Sequence, residues 1–141
     1  MSKLLRMTFF CWIVFQLSFH NAFGQINEVK TLYFKANSFT IEKKHLPVLN
    51  YIGQRSATDS FSFLKVFAYA DKKGTKKYNE QLSEKRANAV YNYLTQKFKI
   101  DTTKIYVTWL GEETDGAYDL HFPSARLQQR CVDILVFFKK P

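Results

Sequence analysis

Asp71 and Arg86, fifteen residues apart, are the pair in this sequence best suited to recognition chemistry. A guanidinium presents a planar fork that grips a carboxylate through two parallel hydrogen bonds. A carboxylate supplies the counter-charge for an ammonium. Held one helix apart, the two would bracket a zwitterion, with Asp71 on the ammonium and Arg86 on the carboxylate. Asn79 adds an amide near Arg86, and Gly74 lies in a turn whose backbone N–H groups favour an anion. Each residue also has an ordinary role open to it. Asp ahead of Gly commonly shapes or caps a turn, and Arg86 could run its stem to solvent or pair with a structural acid.

A strand, a turn and a helix must position these groups. Phe61–Ala70 reads as the strand, with Phe63, Phe67 and Tyr69 on one face and Leu64, Val66 and Ala68 on the other. Apolar residues on both faces predict a strand covered on both sides or central in a sheet. Lys72-Lys73-Gly74 makes the turn, and Thr75 is a suitable N-cap for a helix reaching about Phe98. Projected on that helix, Leu82, Ala89, Val90, Tyr93 and Leu94 share one stripe, the face that packs. Arg86 lies near its centre, and Asn79 falls within about 20° of Arg86, two turns nearer the N-terminus. A charge on a packed face must be paired, since an unpaired buried charge costs several kcal/mol.

Upstream, Lys30–Lys35 is strand-like and closes at Asn37-Ser38. Thr40 can cap a helix to about Arg55, with Leu46, Leu49 and Ile52 inward and Pro47 admissible only in its first turn. Downstream, Lys104–Leu110 is a third strand, Gly111 to about Arg126 a loop, and Arg130–Phe138 a last strand. The order β-α-β-α-β-β predicts an α/β fold, an α+β sandwich with two helices packed on one mixed sheet.

The N-terminus is expected to be a leader. Lys3 and Arg6 precede an uncharged 13-residue run, Met7–Phe19, and Ala22-Phe23-Gly24 offers small residues before a cut at Gln25. The run is shorter than the ~20 apolar residues of a spanning helix, and Cys11 follows two Phe where a lipidated Cys wants small residues. The expected organisation is therefore a signal peptide over 1–24 and one domain over 25–141, exported and without a stable membrane anchor. That domain carries 19 basic and 12 acidic side chains, a net +7, which attracts polyanions. Cys131, its single thiol, forms no internal bridge and reads as packing.

The block Ala70-Asp71-Lys72-Lys73-Gly74-Thr75, then Tyr78-Asn79, Leu82-Ser83, Arg86-Ala87 and Val90, resembles the signature of the OmpA-like C-terminal domain family. That pattern is T-D-x-x-G-x-x-x-Y-N-x-x-L-S-x-x-R-A-x-x-V, matched here at nine positions over 21 residues. Leu32-Tyr33-Phe34 with Asn37-Ser38 is similar to the family's opening strand, Ile105–Gly111 and Glu112 to its third strand and turn, and Arg130–Ile134 to its closing R-R-V-x-I strand. The resemblance spans about Val29 to Lys139. It departs from the pattern at Ala70, where a hydroxyl is usual, at Lys73, at Lys35 and at Cys131, where a second Arg is usual.

The resemblance implies a non-catalytic module that binds peptidoglycan non-covalently through the diaminopimelate of the stem peptide. Asp71 would hold the ammonium and Arg86 the carboxylate, with Asn79, the amides around Gly74 and Arg130 in support. Both charged groups are expected at the mouth of the site, half-solvated when empty, so that replacing either by Ala spares the fold. It implies a periplasmic location against the wall or outer membrane, with an envelope protein as a further partner. An exported protein-interaction domain of the same fold, no longer binding wall, is the alternative. No cofactor is expected, and no Ser/His/Asp order, phosphate loop or metal spacing is present. His45 and His121 lie in different elements, and Glu112, Glu113 and Asp115 read as a solvated loop. Lys and aromatic residues alternate between Phe61 and Tyr78, but no RNA-reader order accompanies them, and nucleic acid is excluded as a partner.

Overall fold

The computed structural model describes residues 26–112 and 130–139. The expected leader, Glu113, Asp115, His121 and Gln129 lie outside the described residues. The elements are β1 (Ile26–Tyr33), a 3-10 turn (Lys43–His45) running into α1 (Leu46–Ser56), β2 (Phe61–Ala68), α2 (Lys76–Phe98), β3 (Ile105–Trp109) and β4 (Cys131–Phe138). The sheet order is β1-β4-β2-β3. β4 is antiparallel to both β1 and β2, while β2 and β3 are parallel. A parallel pair needs a crossover, and α2 supplies it. The mixed sheet with two helices is the architecture read from the sequence. Among the described residues, no helix is long and apolar enough to cross a membrane.

Both helices pack on one face of the sheet. Leu64, Val66 and Ala68 of β2 meet Val132, Ile134 and Val136 of β4, beneath Leu49 and Ile52 of α1 and Val90 and Leu94 of α2. Each of the Val, Leu and Ile side chains among them, taken fully out of water, contributes ~1.5–3 kcal/mol. Phe67, Tyr69, Cys131, Leu135 and Phe137 are buried on the opposite face, so β2 is apolar on both sides as its sequence requires.

The start of β1, the entry to α1 and the buried face of α2 differ from expectation. β1 begins four residues earlier than the strand read from its sequence, because Glu28 and Lys30 occupy the helix face. Tyr51 of α1 donates to Glu28 at 3.0 Å, Arg55 lies 3.7 Å from it, and Lys30 sits over the Tyr51 ring. The first helix is not capped by Thr40. Its entry is the turn at Lys43–His45, where the Glu42 N–H donates to His45 Nδ1 (3.1 Å) and His45 Nε2 meets Tyr33 O (2.9 Å). Pro47 does fall in the first turn of α1. The buried stripe of α2 keeps Leu82, Val90 and Leu94 but is rotated toward Ser83 and Ala87, leaving Ala89 and Tyr93 only partly buried. Small side chains there let the helix approach β3, while the Tyr93 hydroxyl reaches Asn50 of α1.

Gly53 sets the distance between the two helices. A Cβ at that position would clash with the Phe98 ring. Gly53→Ala gains ~1 kcal/mol of helix propensity but overpacks the contact by ~1–3 kcal/mol. A net fall in melting temperature is expected; a rise would show that Phe98 moves freely aside.

Candidate functional site

β2 ends at Ala68, but the next two residues stay pinned. Tyr69 N donates to Cys131 O (2.9 Å) and Ala70 N to Gly111 O (2.6 Å). Asp71 is thus the first residue released from the sheet, at the carboxyl end of a strand where α/β folds place ligands. The chain then turns through Gly74, whose φ of +110° is poorly tolerated by residues with a side chain. Thr75 caps α2 by accepting from Tyr78 N at 3.2 Å, as its sequence predicts.

Arg86 is completely buried, which corrects the expectation that it stands half-solvated at a mouth. The cause is its set of partners. Nε donates to Ser38 O (2.8 Å), Nη1 to Tyr69 O (2.8 Å) and Nη2 to Lys35 O (3.1 Å). These acceptors belong to the segment after β1 and to the end of β2, so the guanidinium clamps two loops together. Three of its five N–H donors are spent and two remain. Burial pulls the Arg86 pKa below its ordinary value, while the Asp71 carboxylate acts in the opposite sense. A guanidinium keeps its charge under such a shift. The Phe34 ring lies 5.4 Å from it.

Asp71 is partly buried, and among the described residues its ion-pair partner is Arg130, with Nε at 3.9 Å. Arg130 is 45% exposed, so this loose pair stabilises little, ~0–1 kcal/mol. Asn79 is fully buried on the site side of α2. Its Nδ2 donates to Glu112 Oε2 at 2.6 Å. A carboxylate only accepts, so this bond fixes the amide orientation. Oδ1 then has no partner among the described residues and faces Gly74, 3.4 Å from where a Cβ would lie.

The structure therefore gathers Asp71, Gly74, Asn79, Arg86 and Arg130 around one turn. It also brings in residues that had been given other roles. Glu112 is partly buried and held by Asn79, not merely solvated. Ser83 Oγ accepts from Gly111 N (2.9 Å), and at Gly111, with φ +58°, any Cβ would press on the Glu80 backbone. The turn match at Gly111-Glu112 was the available signal for both. His45 is a buried structural histidine, and among the described residues no three His, Cys, Asp or Glu converge on a metal position.

Comparison with known proteins agrees with this fold. The chain is 35% identical over 85 residues to outer membrane protein 41 of Porphyromonas gingivalis, covering 60% of this chain and 22% of that protein. It is 30% identical over 80 residues to a peptidoglycan-associated lipoprotein of Buchnera aphidicola, covering 57% of this chain and 46% of the relative. The matches thus take in less than half the length of these curated relatives. The crystal structure of the peptidoglycan-associated lipoprotein from Burkholderia pseudomallei shares the fold, with a TM-score of 0.62 at 23% identity over 77% of this chain and 89% of that one. The OmpA family model matches residues 33–129, which take in the whole Asp71–Arg86 block, and the chain belongs to the OmpA family.

Proposed function

We propose that this domain is a non-catalytic anchor that binds peptidoglycan non-covalently through the diaminopimelate of its stem peptide. The observation that carries the reading is the buried Asn79 Oδ1, an acceptor without a donor that faces Gly74 in the turn following Asp71. A buried polar atom left unpaired costs ~1–3 kcal/mol. An ammonium arriving between Asp71 and Asn79 satisfies both, displacing the weak Arg130 contact. The carboxylate on the same carbon takes the two N–H donors that Arg86 has not spent. Arg86 and Asn79 are both fully buried in the free domain, so the surrounding turn must open to admit the ligand. Because the backbone clamp already holds the guanidinium, little side-chain entropy is lost on binding. The amides around Gly74 add donors for the same anion. A peptidoglycan-associated lipoprotein among the relatives supports the wall as the target. The reading places the protein in the periplasm, exported by its first 24 residues.

The test is a pulldown of the protein on purified sacculi, with and without free diaminopimelate. Retention that free diaminopimelate releases is expected. Retention that it leaves unchanged would remove diaminopimelate as the determinant. Absence of retention would leave a protein-interaction domain of the same fold.

A further inference from the structure

We infer that a second subsite, bordered by Trp109 beside the Asp71–Arg86 site, holds a neutral saccharide ring. A cavity of about 310 Å3 opens at the end of β3, lined by Lys76 and Glu80 from the first turns of α2 and by Trp109, Leu110, Gly111 and Glu112. Trp109 is 40% exposed, a large indole left in water at the rim of a concave site. A pyranose has one face of C–H groups that stacks on the electron-rich face of such a ring. Its hydroxyls need both donors and acceptors around their edge. Lys76 supplies donors only, and Glu80 and Glu112 supply acceptors only. Two carboxylates oppose an anionic guest, and acceptors and a donor beside an exposed indole suit a neutral polyol.

The cavity is preorganised. Gly111 rests against α2, where a Cβ would come within 3.2 Å of Glu80 N, and its own N–H is held by Ser83. Glu112 is fixed by the Asn79 amide, whose other end faces Gly74 in the Asp71 turn. One side chain thus forms the wall between the two subsites. A polymer that carries amino sugars next to stem peptides can occupy both, and to that extent the inference rests on the wall-binding reading.

The test adds N,N′,N″,N‴-tetraacetylchitotetraose or maltotetraose, at millimolar concentration, to the protein and reads backbone amide NMR shifts, a signal that survives replacement of Trp109. A shift with chitotetraose is expected, lost in Trp109→Ala and weakened severalfold in Glu80→Ala, an exposed position whose change spares the fold. Asp71→Asn is expected to keep the shift while losing sacculus retention, which separates the two subsites. Trp109→Ala is expected to retain diaminopimelate release but to bind sacculi severalfold more weakly. A shift with maltotetraose alone would keep the sugar site and remove wall glycan as its source. No shift with either sugar, or a shift unchanged in both Trp109→Ala and Glu80→Ala, would overturn the subsite and leave the diaminopimelate reading standing.

Discussion

Arg86→Ala is expected to lower the melting temperature by more than about 12 °C and to abolish retention on sacculi. The guanidinium is fully buried and donates to three backbone carbonyls. Hydrogen bonds from a charged donor contribute ~1.5–3 kcal/mol each, without full additivity. Truncation leaves three carbonyls unpaired around a void, and ~3–5 kcal/mol is a reasonable loss, the range seen when a buried charged partner is removed. At ~4 °C or more per kcal/mol for a domain of this size, the shift follows. Arg86→Lys separates the two roles. One ammonium has three donors but no planar fork, so it restores part of the stability and little of the binding. Calorimetry and sacculus retention on the same variants decide. An unshifted melting temperature in Arg86→Ala would overturn the clamp, and full retention by Arg86→Lys would overturn the forked grip.

This double duty was only half visible in the sequence. The phase of α2 was readable because Leu82, Val90 and Leu94 recur on one face and Thr75 caps the helix, so Arg86 had to point inward. Which acceptors it met was not. Backbone carbonyls carry no residue signature, and those of Lys35, Ser38 and Tyr69 converge only once β1 and β2 are both docked on β4. The start of β1 was hidden for a related reason. Glu28 and Lys30 break the apolar alternation, and their inward positions are tolerable only because Tyr51 and Arg55 of α1 meet them. The capping of the first helix depended likewise on a distant contact, His45 with Tyr33 O, which competes with the local preference of Thr40. Local periodicity thus gave element type and helix phase, whereas contacts between elements decided the ends and the shell around Arg86. Glu112 belongs to that shell through topology: the parallel pairing of Ala68 with Trp109 carries the chain on to Gly111 and sets the next residue beneath Asn79.

Asp71→Asn is expected to show the converse behaviour, losing binding while keeping the fold. The substitution preserves shape and removes one negative charge. Arg86 still has its three carbonyls, and Arg130, 45% exposed, turns to solvent at a cost below ~1 kcal/mol. The melting temperature is therefore expected to stay within a few degrees of wild type. The ligand ammonium loses a charge-assisted partner of ~1.5–3 kcal/mol, a roughly ten- to hundredfold drop in affinity. Ionic strength distinguishes this from a general effect of charge. Long-range attraction from the Lys72, Lys73, Lys76 and Lys77 surface is largely screened at physiological salt, where the Debye length is ~8 Å. A contact made at hydrogen-bond distance survives that screening. Retention on sacculi should therefore fall in Asp71→Asn at both low and physiological salt, by nearly the same factor. A loss confined to low salt would reassign Asp71 to the general field of the surface, and unchanged retention at both would remove it from the site.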